Sequence, residues 1–351
     1  MKTIMKTILY PLAVLSAIAL LSSCNKEQEP CRGAEAFVEG QSVVTVHIDA
    51  QFGTKALGVA DDATDTKKVN SLQVFAFDSD GALQAYESTT SGASASLKLN
   101  IGQEYTFWAV ANNYGKTGWK YDAVSAVRTQ EEFKAIMTDL KDNAKNDLLM
   151  FSQTGVKKLI DAQTNSLSIE VSRLVSKIQI RKITADFGTN TALKSRSFMI
   201  DSIYVINAVK GESLGLSPAP TVAYYNKGKF ISGPSDLLLC DRLGTSFELS
   251  TSAGVAKPYT TAHTFFTYGN ATDRPTRLVV SCRWGDRRTF YPVDIKGTDG
   301  RLNPNCSYIV NQLTIKGLGS DDPDVIPERQ EFSASITIKD WETGFEKDIT
   351  L

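Results

Sequence analysis

The chain has 351 residues, 42% hydrophobic and 22% charged, a globular balance with length for two domains of ordinary size. Its 38 basic and 39 acidic residues nearly cancel, leaving a net charge of −1, which argues against nucleic acid as a partner because no basic stripe is available. Two histidines, His47 and His263, are too few for histidine-based metal or general-base chemistry.

Lys2 and Lys6 give the chain a basic start, and Ile8 to Leu21 is an apolar run of signal-peptide length. It is shorter than the roughly 20 apolar residues of a membrane-spanning helix. The run ends in Leu21-Ser22-Ser23-Cys24, which resembles the lipobox of bacterial lipoproteins: an aliphatic residue, two small ones, then cysteine. The resemblance implies that residues 1–23 are removed and that Cys24 carries lipid on sulfur. Several acyl chains on one cysteine hold a protein firmly on a membrane, whereas one chain binds only marginally. Asn25 to Glu35 is polar and reads as a tether that includes Cys31.

The chain is organised around Ser42 to Lys55. Val44, Val46, Ile48, Ala50 and Phe52 face one way along an extended backbone, and Thr45, His47, Asp49 and Gln51 face the other. That period of two predicts a strand with one face in a core. Gly53 breaks it, a trypsin-type site follows at Lys55-Ala56, and a polar run, Asp61 to Thr66, comes next.

Beyond this, Ser71 to Asp78 predicts a strand that is covered on both faces or central in its sheet, with Leu72, Val74 and Ala76 on one side and Phe75 and Phe77 on the other. Asp78-Ser79-Asp80-Gly81 predicts a hairpin turn. Leu97, Leu99 and Ile101 alternate, and Tyr105 to Ala111 is an aromatic strand with Phe107 and Trp108 on opposite faces. Thr129 to Glu132 spells a capping box. Phe133, Ile136, Met137 and Leu140 follow at helical spacing, which predicts one short helix packed on the sheet. Leu148–Ser152, Leu167–Val171 and Val175–Ile183 are further strand candidates. Thr184 to Arg196 is polar and patternless, and the domain boundary is expected there.

The second half repeats the style. Ser202–Val209, Thr264–Tyr268, Arg277–Trp284, Thr289–Ile295 and Ser307–Ile315 read as strands, punctuated by Gly, Pro, Asn and Asp clusters. Short strands with such punctuation predict an all-β chain of two consecutive β-sandwich domains with one or two short helices. Gly317 to Pro323 reads as a flexible link. Phe332, Ala334, Ile336 and Ile338 then alternate with polar residues. In the closing segment Phe345, Ile349 and Leu351 share one face, as in an ordinary last strand or one meant for another molecule's groove. Cys240, Cys282 and Cys306 allow one disulfide with one cysteine left over, or three free thiols.

No nucleophile elbow, P-loop, zinc-protease helix or dinucleotide fingerprint is present, and the pairs Asp61-Asp62 and Asp321-Asp322 lie in loop-like surroundings. No enzyme activity, cofactor or metal is expected. Trp119, Tyr121, Tyr224 and Tyr225 are aromatics that could serve a sugar or pack in loops.

Four places together carry a family resemblance. They are the lipobox at Cys24; Phe52 to Val59 with the acidic run behind it and then Leu72-Gln73-Val74-Phe75; Leu148-Leu149-Met150; and Asn305 to Asp340, ending in Ile338-Lys339-Asp340-Trp341 and a short tail. Their order and spacing resemble the fimbrillins, the type V pilins of anaerobic Gram-negative bacteria of mouth and gut. The resemblance covers most of the chain. It implies transthyretin-like sandwiches, export as a lipoprotein, and removal of the first strand by a trypsin-like protease. A neighbour's C-terminal strand, here Phe345 to Leu351, would then fill the emptied groove and build an adhesive fibre. In the family the cut usually follows arginine, and the matching residue here is Lys55; a cut at Arg32 would leave the first strand in place. The implied division is signal peptide 1–23, leader 24–55, N-terminal sandwich 56–185 and C-terminal sandwich 186–351. The implied partners are further copies of the chain, accessory fimbrial subunits, the outer membrane through Cys24 before maturation, and host or bacterial surface ligands. Two alternatives stand beside a stalk subunit: an anchor, accessory or tip subunit that keeps its lipid, and a non-polymerising glycan-binding lipoprotein.

Overall fold

Where apolar residues alternate with polar ones, the backbone is extended and hydrogen-bonded into sheets. In a computed structural model, the described residues are 40–49, 68–90, 92–113, 127–216, 221–231, 235–240, 246–327, 332–340 and 346–350. Cys24, Cys31, Ala50, Phe52, Lys55, Ala56, Trp119, Tyr121, Phe345 and Leu351 lie outside them.

The first ten strands are β1 (Gln41–Asp49), β2 (Leu72–Phe77), β3 (Leu83–Thr89), β4 (Ser94–Asn100), β5 (Glu104–Ala111), β6 (Met137–Asp139), β7 (Met150–Phe151), β8 (Val156–Leu159), β9 (Asn165–Glu170) and β10 (Ser172–Arg173). β1 is the middle strand of a three-stranded sheet in the order β4-β1-β9. A second sheet runs β10-β7-β5-β2-β3, with β8 beside β5. Val44, Val46 and Leu97 of the first sheet share one buried cluster with Leu72, Val74 and Phe107 of the second. This pair of sheets is the first sandwich.

The other face of β2 explains why all six of its residues are buried. Phe75 and Phe77 pack on Phe133 of the helix Gln130–Lys134, with ring centroids 4.3 and 5.6 Å away. Phe107 and Trp108 divide between the two clusters in the same way, as expected for opposite faces. The β2–β3 hairpin closes as its sequence predicts. Asp78 Oδ1 accepts from the backbone N–H of Asp80 and Ala82 at 3.0 and 2.9 Å, and Gly81 takes a positive φ of 77°.

The remaining strands are β11 (Val175–Ile180), β12 (Ile183–Ala185), β13 (Phe198–Ile206), β14 (Ala208–Val209), β15 (Gly211–Ser213), β16 (Tyr224–Tyr225), β17 (Leu239–Cys240), β18 (Phe247–Ser250), β19 (His263–Tyr268), β20 (Arg277–Trp284), β21 (Arg287–Asp294), β22 (Cys306–Ile315), β23 (Phe332–Asp340) and β24 (Glu346–Thr350). One sheet runs β19-β11-β22-β23-β24 with β12 beside β22; the other runs β17-β13-β20-β21 with β18 beside β13. Ile178, Phe265 and Val310 from the first meet Phe198, Val205 and Val280 from the second in one buried cluster. The expected all-β class is therefore what is found.

Four details depart from the sequence reading. The capping box forms, with Glu132 N–H donating to Thr129 Oγ1 at 3.2 Å, but the helix stops at Lys134. The chain then extends so that Met137–Asp139 pairs with Gly211–Ser213, which leaves Met137 exposed rather than on a buried helical stripe. Ile101 lies in the turn after β4 rather than in the strand, its N–H bonded to the Gly40 carbonyl at 2.8 Å. The polar stretch from Thr184 to Arg196 does not mark the change of sheets: β11 and β12 already pair with β22, so the change comes between Arg173 and Val175. The expected link at Gly317–Pro323 is docked. Tyr291 hydroxyl donates to the Gly317 carbonyl at 2.6 Å, Ser320 and Phe290 exchange backbone bonds, and Asp324 pairs with Arg274 and Arg277. Besides Gln130–Lys134, short helices occur at Thr191–Lys194 and Ser235–Leu238 among the described residues.

Candidate functional site

The site with a physical claim to function is the lane that β1 occupies. β1 runs antiparallel to β4, from Gln41 opposite Asn100 to His47 opposite Ser94. It runs parallel to β9, from Val44 opposite Asn165 to Asp49 opposite Glu170. Its backbone is thus bonded on both sides. Both neighbours come from later in the chain, so no tight hairpin ties β1 to either one.

The inward face follows the period read from the sequence. Val44 and Val46 are wholly buried and Ile48 is 8% exposed, while His47 faces outward and is exposed. At about 1.5–3 kcal/mol per buried apolar side chain, these three stabilise the first sandwich by roughly 5–9 kcal/mol as an upper figure. A whole domain is stable by only about 5–15 kcal/mol. An emptied lane therefore leaves the first sandwich needing a substitute.

One member of the inward face was not legible in the apolar pattern. Ser42 is buried, and its hydroxyl donates to the Gln163 carbonyl at 3.0 Å while accepting from Asn165 Nδ2 at 3.0 Å. Asn165 is itself buried and also donates to the Asp161 and Gln163 carbonyls at 3.1 and 2.9 Å. A one-residue slip would pull Ser42 from these partners and turn the valines to solvent, so this knot fixes the register. On the outward face Thr45 and Ser96 hydroxyls lie 3.2 Å apart.

The strand expected to act as donor lies in its own molecule's second sandwich. Glu346–Thr350 pairs antiparallel with β23, from Glu346 opposite Lys339 to Thr350 opposite Ser335, with Ile349 opposite Ile336. It is the last strand in its sheet and has one neighbour there.

Other candidate groups serve packing. Among the described residues Cys282 and Cys306 take part in no disulfide, and burial pushes the Cys282 thiol up, away from the reactive thiolate. Tyr224 and Tyr225 are half-buried, their hydroxyls bonded to Thr272 Oγ1 and Asp139 Oδ1 at 2.7 Å each. His263 stacks on Tyr259, with Nε2 2.6 Å from its hydroxyl. Among the described residues no group of three or more His, Cys, Asp or Glu is placed to hold a metal ion.

Residues 42–191 match the profile of the major fimbrial subunit protein (FimA) family. No curated protein sequence matches at a significant level. Among solved structures, a candidate cell adhesion protein from Bacteroides eggerthii is 21% identical with a TM-score of 0.59, covering 86% of this chain and 96% of that one. A fimbrilin from Porphyromonas gingivalis is 15% identical with a TM-score of 0.57, covering 85% and 97%. A candidate cell adhesion protein from Parabacteroides distasonis is 15% identical with a TM-score of 0.58, covering 87% and 100%. β1 with its lane, from Ser42 onward, opens the stretch that matches the family, the fold extends over most of the chain, and the resemblance to the fimbrillins seen in the sequence is borne out.

Proposed function

We propose that the chain is a polymerising subunit of a cell-surface fimbrium. It is exported as a lipoprotein held in the outer membrane through Cys24, then cut between Lys55 and Ala56 so that β1 is lost. The C-terminal strand of another copy, with Phe345, Ile349 and Leu351 on its apolar face, then enters the lane between β4 and β9. Repetition builds a fibre that serves adhesion and biofilm formation.

The observation that carries this reading is the position of β1. It is central in its sheet, buried along one face, and joined to later strands by no hairpin. A cut in the segment between Asp49 and Leu72 severs every covalent tie between it and the sandwich. The edge position of β24 adds to the case. In its own sheet that strand has one hydrogen-bonded neighbour, and in the vacated lane of another copy it would have two. While β1 stays in place the lane offers no free edges, which keeps the precursor from pairing early.

The test is to treat the purified precursor with trypsin or the host's own protease, then read the new N-terminus and the sedimentation profile. A start at Ala56 with growth into rods supports the proposal. A product that is cut there and stays monomeric sinks it.

A further inference from the structure

The second sandwich carries a cleft on its outer face that strand exchange does not use. We infer that it is a binding site for an acidic saccharide, with a sugar ring on its aromatic floor and the ligand's carboxylate or sulfate on Arg288 and Lys229. The cleft holds about 670 Å³, and Asp201, Tyr204, Lys229, Phe230, Arg288 and Phe290 are among the residues lining it. That volume suits a ligand of one to a few sugar units.

The floor is built by strand alternation. Ile203 and Val205 of β13 face the main core, so Tyr204 between them faces the opposite side of the sheet. There it forms a separate small apolar cluster with Ile206 and Val279, against which Phe230 and Phe290 pack. The Tyr204 and Phe230 rings lie 5.3 Å apart at 52°. Tyr204 is itself 5% exposed, so the aromatic surface open to the C–H face of a sugar ring, with its weakly positive hydrogens, belongs to the half-buried Phe230 and Phe290.

The charges select the ligand. Arg287 is paired with Asp321 at 3.1 Å, and Arg283 Nε with Asp201 at 2.9 Å. Lys229 and Arg288 are exposed and form no ion pair among the described residues. Arg288 is close enough to Tyr204 for its cation to oppose the rise that burial imposes on the phenol. Two unneutralised cations at the mouth of an aromatic cleft favour an anionic ligand, and the planar guanidinium suits a carboxylate or sulfate bidentately.

Asp201 is held in the cleft wall by its own neighbours. A bulge in the β13–β20 pairing falls at this residue. Its Oδ1 accepts from Ser246 Oγ at 3.0 Å as well as from Arg283, while the buried Oδ2 has no hydrogen-bond partner among the described residues. A second cleft of about 590 Å³ shares Lys229, Asp321 and Pro323, and its further lining balances Lys227 and Arg274 against Asp322 and Asp324.

The inference stands apart from strand exchange, because binding is read on the monomeric precursor. Titrate the full chain with trigalacturonic acid, with maltotriose as the neutral probe and sodium sulfate as the simple anion, using calorimetry and the amide spectra of labelled protein. Trigalacturonic acid is expected to bind at least 10-fold tighter than maltotriose and to weaken as salt rises. The double variant Lys229→Ala/Arg288→Ala should lose at least 10-fold in affinity with its thermal unfolding unchanged, since both residues are exposed. Phe230→Ala should lose affinity for the acidic trisaccharide without gaining any for sulfate. Equal binding of maltotriose, displacement by sulfate at equal concentration, or full binding by the double variant would each overturn the assignment.

Discussion

Val46→Ala separates a strand that is kept from a strand that is discarded. Val46 is wholly buried in the cluster that joins the two sheets of the first sandwich. Losing two methyl groups at about 0.8 kcal/mol each removes roughly 1.6 kcal/mol, and the incompletely collapsed cavity raises the cost to about 2–3 kcal/mol. For a sandwich of this size, about 2 kcal/mol lowers the midpoint of thermal unfolding by roughly 4–8 °C. The uncut precursor should show this fall in a calorimetric scan. Fibres assembled from the same variant should unfold like wild-type fibres, because Val46 has left with β1. Val310→Ala, at a wholly buried position of the second sandwich, should weaken precursor and fibre alike. Should Val46→Ala fibres be weakened as much as the precursor, the strand is still in the fibre and the reasoning fails.

Three further outcomes follow from the same geometry. Asn165→Leu removes the donor to Ser42 and two carbonyls, and should cost about 1–3 kcal/mol in denaturant unfolding of the precursor; no loss would mean the polar knot does not hold the register. Burial raises the Glu212 carboxyl from its ordinary 4.5 to about 7, against the opposing hydrogen bond from Ser213 N–H. The folded chain therefore keeps a proton that the unfolded chain releases, so stability is full below about pH 4.5 and falls as pH rises to about 7. Allowing for partial exposure, the fall is about 1–2 kcal/mol, and Glu212→Gln should flatten that part of a urea-midpoint profile against pH. Deleting Phe345–Leu351 should leave a folded monomer that cannot extend a fibre, and sedimentation showing continued polymerisation would remove the donor assignment.

What could be read from the sequence was whatever depended on local alternation. Val44, Val46 and Ile48 point inward as their spacing says, and β2 is covered on both faces because Phe75 and Phe77 alternate with Leu72, Val74 and Ala76. Distant partners were the source of the misreadings. The spacing of Phe133, Ile136, Met137 and Leu140 is helical on paper, but Met137–Asp139 pairs with a strand some seventy residues later. Gly317 to Pro323 has the composition of a linker, yet Arg274 and Arg277 hold Asp324 from another part of the chain. The change of sheets is marked by Leu174 and Val175, both buried and apolar, so no lapse in pattern announces it. Of the lane, the apolar half was legible. Ser42 and Asn165 were not, because a buried polar pair reads as surface until its partner is known. The cleft was invisible for the same reason: Tyr204, Phe230 and Arg288 meet only once β13, the loop after β16 and β21 are folded together.

The central claim is most directly tested by the mass of the protomers in fibres taken from cells. The account predicts subunits that begin at Ala56, with no stoichiometric peptide from Gln41 to Asp49. Protomers that retain Gln41–Asp49, still acylated at Cys24 and polymerised, would contradict it.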